Sequence, residues 1–344
     1  MSFALAPLSL LYGAATRARL ALYRASVLPA HKLAVPVISV GNITTGGTGK
    51  TPLVEWLARA TAREGRRVCI LTRGYGRKDA HRRVVVSDGQ TVHADARVGG
   101  DEPRLLAENL RGLAAVVSDA DRVAAAQWAL KELRSDLFIL DDGFQHLRLA
   151  RDLNIVALDA TAPWGGGHLL PRGRLREPLA GLTRADCIII TRTELADDLE
   201  ALRKRAAQLS DGRPIFNAHT STQRLRLLTT DDAARVVAPD ALVQPLFAFC
   251  AVGNPQAFFR HARNAGYELR HTRAFADHHD YTQADADALS EVATRHGARA
   301  LITTAKDAVK LRSLHFSLSC FVLEIAFVLE DEASLLALVR KVLS

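Results

Sequence analysis

Residues 36–53 read PVISVGNITTGGTGKTPL, and the order of elements in this stretch decides the fold. Val37, Ile38 and Val40 form an apolar run of strand length that stops at Gly41, and a helical spacing of Val54, Leu57 and Ala58 begins close behind it. Between the two lie Gly46, Gly47 and Gly49, which let backbone N–H groups turn inward on a phosphate chain. Lys50 is then placed to reach the β- and γ-phosphates of a nucleotide, and Thr51 to hold Mg²⁺. Pro52 suits the first helical position, where no N–H is needed. The expected nucleotide-binding residues are Thr44, Thr45, Gly46, Gly47, Thr48, Gly49, Lys50 and Thr51.

The usual spacing G-x-x-x-x-G-K-[ST] asks for glycine at position 44, where this chain has Thr44, so the loop resembles the variant loops that carry GGxGK[ST]. Other strand ends add charge to the same side. Residues 67–72 (RVCILT) read as a buried strand that runs into the basic loop RGYGRK at 73–78. Ligands bind beyond the carboxyl ends of strands in open α/β sheets, which favours an anion-contacting role for Arg73. Residues 137–142 (LFILDD) are an apolar strand ending in acid, as a Walker B element requires, and leave open whether Asp141 or Asp142 is the direct Mg²⁺ ligand. Gln145 and His146 follow at once and reach the same strand edge, where they can position water, substrate or metal. Asp101 and Glu102 precede Pro103 and open a helical stretch, which their charge favours; by themselves they point no further. The loop 164–178 (WGGGHLLPRGRLREP) interleaves Trp, Leu and Arg with glycine, which suits a substrate with both apolar and anionic parts.

The composition, 48% hydrophobic and 24% charged over 344 residues, is that of a soluble globular chain long enough for two domains, and it excludes disorder. A net charge of +8 implies an anionic partner: nucleic acid, an acidic membrane surface or a phosphorylated substrate. Cys69, Cys187, Cys250 and Cys320 stand far apart without C-x-x-C or Cys/His spacing, so they read as reduced core residues of a cytoplasmic chain. Near the N-terminus Arg17, Arg19 and Arg24 interrupt the apolar run, which excludes a signal peptide and a membrane span. Plotted as a helix, Leu8, Leu11, Tyr12, Ala15 and Leu22 share a face opposite Arg17 and Arg24, while Arg19 and Leu10 break the pattern. Core packing and an interfacial membrane contact are both open on this pattern.

The regular alternation of strands and helices predicts an α/β fold of the P-loop NTPase type: a mostly parallel sheet covered by helices, a second smaller α/β domain and an N-terminal amphipathic helix. The expected units are the helix at 1–30, a P-loop domain at 31–222 and a smaller domain at 223–344. The boundary is placed where the rhythm breaks into an antiparallel pair or connector at 221–235 (STQRLRLLTTDDAAR). In the second unit FADHHDY (275–281) sets His278 and His279 between acids; they are candidates for metal ligation or proton transfer, against a solvated loop as the default.

VGNITTGGTGKTP, TRGYGRK, VGGDEP, LDDGFQH, LLPRGRLREP, FADHHDY and TTAKDAVKL occur in order from about residue 37 to residue 311. With them the chain closely resembles the tetraacyldisaccharide 4′-kinase family of lipid A biosynthesis. One departure is Arg172 and Arg174 flanking Gly173, where the family commonly has small residues and proline. The resemblance implies transfer of the γ-phosphate of ATP to the 4′-hydroxyl of a tetraacyl disaccharide 1-phosphate, giving lipid IVA at the cytoplasmic face of the inner membrane. It implies Mg²⁺ on Thr51 with Asp141 or Asp142, and Lys50 and Arg73 supplying charge. Asp101 is the implied proton acceptor, paired to His278, with Glu102 and His146 as supporting groups. Gln145, His146, Arg172, Arg174 and Arg176 are the implied substrate contacts. The implied partners are the acylated disaccharide and, through the N-terminal helix, the membrane surface, with no nucleic acid and with a monomer favoured. The alternative is a variant P-loop ATPase acting as a switch or partition protein, which shares the GGxGKT loop; the extra lysine expected of that class is absent at position 44, and it leaves the histidines at 278 and 279 without a role.

Overall fold

In the computed structural model, which describes residues 5–77, 79, 81–229, 236–237 and 242–343, the chain begins α1 (Ala6–Arg24), β1 (Val37–Gly41), α2 (Lys50–Arg63), β2 (Val68–Thr72) and β3 (Val84–Ser87). It continues α3 (Ala96–Gly99), α4 (Asp101–Asn109), β4 (Ala114–Ser118), α5 (Arg122–Glu132), β5 (Leu137–Asp141), β6 (Leu153–Asp159), β7 (Cys187–Thr191), α6 (Leu199–Leu209) and β8 (Ile215–Leu227). The remainder is β9 (Val236–Val237), β10 (Leu246–Cys250), α7 (Pro255–Asn264), β11 (Leu269–Ala274), α8 (Gln283–Arg295), β12 (Ala300–Thr304), α9 (Ala305–Leu311), β13 (Cys320–Leu329) and α10 (Glu332–Leu343). The strands form one sheet in the order β11-β10-β12-β13-β8-β7-β6-β1-β5-β2-β4-β3, with β9 paired to β8. Neighbours are parallel except at β3–β4, β8–β13 and β8–β9. Every residue of β1, β2, β4, β5, β7 and β10 is buried, because helices cover both faces of a parallel sheet; this is why the strands read as continuous apolar runs.

Three expectations need amendment. Pro52 is the third residue of α2, since Gly49 is the N-cap; its missing N–H is still one of the first-turn donors without an intrahelical acceptor. The boundary at 222/223 falls inside β8, whose residues 215–217 pair in parallel with β7 and whose residues 218–227 pair antiparallel with β13. The sheet therefore passes from one half of the chain to the other on a single long strand; residues 230–235 of the predicted connector lie outside the described residues. Finally, α10 belongs to the core of the first half, which it shares with Phe327 and Leu329 of β13. Leu335, Val339 and Leu343 enter the same core as Leu53, Val54 and Leu57 of α2, so the C-terminal helix closes the first half.

The N-terminal helix also orients against its apolar pattern. It lies on the body through Ser9, Tyr12 and Gly13: the Ser9 hydroxyl donates to Leu169 O at 2.9 Å, and the Tyr12 hydroxyl donates to Arg176 O at 2.8 Å. Leu8, Leu10, Leu11 and Leu22 are turned outward, 53%, 72%, 68% and 42% exposed. No helix of the described residues is long and apolar enough to cross a membrane.

Candidate active site

Strand β1 runs between β5 and β6, so the connections that follow them diverge and leave a crevice at its carboxyl end. The glycine loop fills that crevice, with Gly46 and Gly49 at φ values of 108° and 76° that only glycine adopts without strain. The Lys50 ammonium lies 3.3 Å from Asp142 Oδ1, and Arg176 donates to Asp142 Oδ2 at 2.6 Å. Thr51 sits beside Lys50 in the first turn of α2. Below the loop, Asn42 donates to Thr44 O at 2.7 Å and to the Thr48 hydroxyl at 2.8 Å. Gln145 donates to Asn42 O at 2.8 Å and to Glu177 at 2.7 Å, so its amide supports the loop from beneath. Thr44 is buried, and the Thr45 N–H donates to Arg174 O at 2.7 Å. Arg174 belongs to this side too, since its guanidinium donates to Thr45 O at 2.7 Å.

The two acids at the end of β5 differ sharply. Burial works to raise the Asp142 pKa, but Lys50 and Arg176 outweigh it and hold the carboxyl well below its usual range. Asp141 has no such cover: burial first, then the neighbouring Glu102 carboxylate, push it up to about 7 against the pull of Lys50. A buried carboxylate short of positive charge beside a P-loop threonine fits a divalent cation. Among the described residues no three His, Cys, Asp or Glu side chains converge to cage a metal. An ion with one or two protein ligands, completed by phosphate and water, is the habit of Mg²⁺. Because folded Asp141 binds its proton more tightly than the unfolded chain does, it lowers stability progressively as pH rises from about 4 to about 7. Asp141→Asn is therefore expected to raise the melting temperature of the ligand-free protein, by more at pH 7.5 than at pH 4.5; an increment that does not grow with pH across that window would contradict the assignment.

A second cluster is assembled from both halves of the chain. Asp101 opens α4, and His278 Nδ1 lies 2.9 Å from each of its carboxylate oxygens. Asp101 Oδ1 also accepts the Glu102 N–H at 2.9 Å, and the Lys310 ammonium lies 3.4 Å from Oδ2. Lys306 bridges Glu102 at 2.9 Å and Asp277 at 3.1 Å. Burial raises the Asp101 pKa, but the His278 hydrogen bond and the charges of Lys306 and Lys310 prevail and hold it at about 2. An ionised carboxylate only accepts, so Nδ1 of His278 carries a proton, and Nε2 lies 3.4 Å from the Lys306 ammonium. The Tyr75 ring stands 5.1 Å from the imidazole, and with Gly76, Arg97, Asp101, His278 and Lys310 it lines a cleft of about 470 Å³. The two clusters adjoin, because the Glu102 carboxylate that Lys306 holds is the charge that Asp141 feels.

Other predicted residues are placed differently. Arg73 is exposed at the end of β2, and its charge acts on the buried Arg122. His146 is driven down to about 4 by burial and by Arg122, Arg151 and Arg148, so it stays neutral near pH 7. Arg172 is half-buried in its loop. His279 pairs with Asp285 at 3.2 Å at the start of α8, away from Asp101. Lys78 lies outside the described residues. The sequence reading passed over Lys306 and Lys310, whose signal was present: two lysines four apart, directly after a strand, share one face of α9.

A family model described as tetraacyldisaccharide-1-P 4′-kinase matches residues 1–344. The chain belongs to this kinase family. A tetraacyldisaccharide 4′-kinase of Anaeromyxobacter sp. (strain Fw109-5) is 44% identical over 315 residues, covering 89% of this chain and 82% of that protein. One from Geobacter metallireducens is 42% identical over 307 residues, covering 89% and 88%. The crystal structure of LpxK from Aquifex aeolicus in complex with ATP superposes with a TM-score of 0.78 at 34% identity, covering 100% of this chain and 99% of that one. The kinase fold, its mostly parallel sheet and the expected family are thereby borne out.

Proposed function

We propose that this kinase transfers the γ-phosphate of ATP to the 4′-hydroxyl of a tetraacyl disaccharide 1-phosphate, giving lipid IVA. The observation that carries the reading is the Asp101–His278 pair beside the Lys50–Asp142–Arg176 cluster, a proton acceptor next to an anion cradle. A P-loop ATPase working as a switch has no use for that pair.

In this reading the hydroxyl of the acceptor gives its proton to His278 Nε2 as its oxygen attacks the γ-phosphorus, and the bond from that phosphorus to the β–γ bridging oxygen breaks to release ADP. The roles within the pair are divided differently from the sequence expectation. Asp101, with a pKa near 2 and both oxygens engaged, is a weak base; it orients the imidazole and stabilises its charged form. Lys50 neutralises the charge that develops on the transferred group, and Arg176 is held beside it by Asp142. Thr51 and Asp141 would hold Mg²⁺, which supplies charge neutralisation at the phosphates. Tyr75, Arg97 and Lys310 lining the cleft suit a sugar carrying an anionic group. The decisive experiment is an assay with Mg²⁺–ATP and the acceptor in detergent micelles: phosphate transfer that depends on the acceptor is expected, whereas ATP consumption indifferent to the acceptor would sink the proposal.

Peripheral attachment to the cytoplasmic face of the inner membrane belongs to the same reading. The outward leucines of α1, with Arg17 and Arg24 on the same helix, suit insertion at an anionic lipid surface. Leu10→Asp with Leu11→Asp is expected to cut binding to vesicles containing anionic lipid by tenfold or more, about 1.4 kcal/mol, with an unchanged melting temperature. Undiminished binding would assign the exposed leucines no membrane role.

A further inference from the structure

The turn Gly253-Asn254 at the end of β10 lies directly on the phosphate loop, although Gly253 and Gly47 are 206 residues apart in sequence. A methyl group built on Gly253 would stand 2.3 Å from Gly47 N and 2.9 Å from Gly46 Cα, so the two backbones touch. Beneath the contact, Arg192 donates to Gly47 O at 2.7 Å and is paired with Asp159, which is 4% exposed. Arg192 holds a left-handed φ of 57°, a conformation that costs energy outside glycine and that this pairing retains. Asn254 donates to Asp159 Oδ2 at 3.0 Å and to the Thr161 hydroxyl at 2.9 Å, while its own carbonyl oxygen caps α7 by accepting the Ala257 N–H at 3.2 Å. The same strand end carries His278. Ala251 O accepts the His278 N–H at 3.3 Å, and the Ala251 N–H donates to the buried Asp307 at 3.1 Å, on the helix that bears Lys306 and Lys310.

We propose that Arg192, Asp159 and the Gly253-Asn254 turn are positioning residues that couple the phosphate loop to the strand end holding His278, so that nucleotide binding and the seating of the imidazole reinforce each other. The proposal rests on the kinase reading above, because it takes the loop as the donor site and His278 as the proton acceptor. Only Val252 and Gly253 separate Ala251 from Asn254, too short a span for the loop contact and the His278 anchor to shift independently. Reciprocity follows: whatever fixes the Gly46–Gly47 backbone also fixes Ala251, and the reverse.

The test uses the full chain with a nonhydrolysable ATP analogue and Mg²⁺, measuring affinity by calorimetry and hydrogen exchange over residues 275–281. Asn254→Ser keeps a good helix cap but loses the reach to Asp159 and Thr161, and Gly253→Ala wedges the turn from the loop. In the wild type the analogue is expected to slow exchange at residues 275–281. Both variants are expected to bind it about tenfold more weakly and to lose that slowing, Asn254→Ser with a ligand-free melting temperature near the wild type. Affinity within twofold of the wild type, or slowing retained in Asn254→Ser, would overturn the coupling alone. A wild type that binds no analogue would overturn the kinase reading and the coupling with it.

Discussion

Lys50→Ala is expected to lower the rate of phosphate transfer on the order of a thousandfold, about 4 kcal/mol of transition-state stabilisation, at saturating ATP and acceptor. The ammonium sits at the mouth of the glycine loop with 12% of its side chain exposed, and in the ligand-free protein it is neutralised by Asp142. A phosphate chain in the cradle competes for that charge, so Lys50 is free to follow the transferred group. Its removal leaves Asp142, half-buried, still paired to Arg176 at 2.6 Å, which keeps the carboxylate compensated and the fold intact. The measurement is kcat with intact folding checked by thermal melting. Near-normal turnover would take the loop out of the mechanism.

His278→Gln and Asp101→Asn are each expected to cost about 10²–10⁴ in kcat, and the double variant little more than the worse of the two. The reason is geometric. Nδ1 of His278 touches both carboxylate oxygens at 2.9 Å, so Asp101 acts only through the imidazole, and once His278 is gone it has nothing left to orient. Lys306 and Lys310 stay in place around Asp101, so the carboxylate that survives in the His278→Gln protein is still compensated. A double variant whose defect equals the product of the two single defects would mean that the residues work separately, and the pair would lose its standing as a unit.

Much of the donor half was legible because it is local. The strand, glycine loop and helix of residues 36–53 lie within one turn of chain, where spacing alone dictates which N–H groups converge. The same holds for the acid-tipped β5, although the contrast between Asp141 and Asp142 was not: it depends on Lys50, Arg176 and Glu102, which approach from three other elements. Thr45 and Arg174 have a mutual contact that spacing does not record. By type and position they read as ligand contacts, and the structure adds that they hydrogen-bond one another. The N-terminal helix was ambiguous for a related reason. Periodicity reports that leucines cluster; whether that face meets a core or solvent is set by what the small residues Ser9 and Gly13 dock against.

The sequence by itself determined the α/β class, the phosphate loop with Lys50 and Thr51, and, through seven motifs in order, the kinase family. Each of these is written in short-range spacing and residue type, which survive without knowing where distant segments meet. Only the tertiary structure decided that β8 carries the sheet across the expected boundary and that α10 returns to the first core. It alone seats His278 against Asp101, 177 residues away, and lays Gly253 against Gly47. Those contacts depend on how strands β8, β13 and β10 order themselves in the sheet, and the hydrophobic burial that orders them is non-directional, so no local pattern records which segments it will bring together.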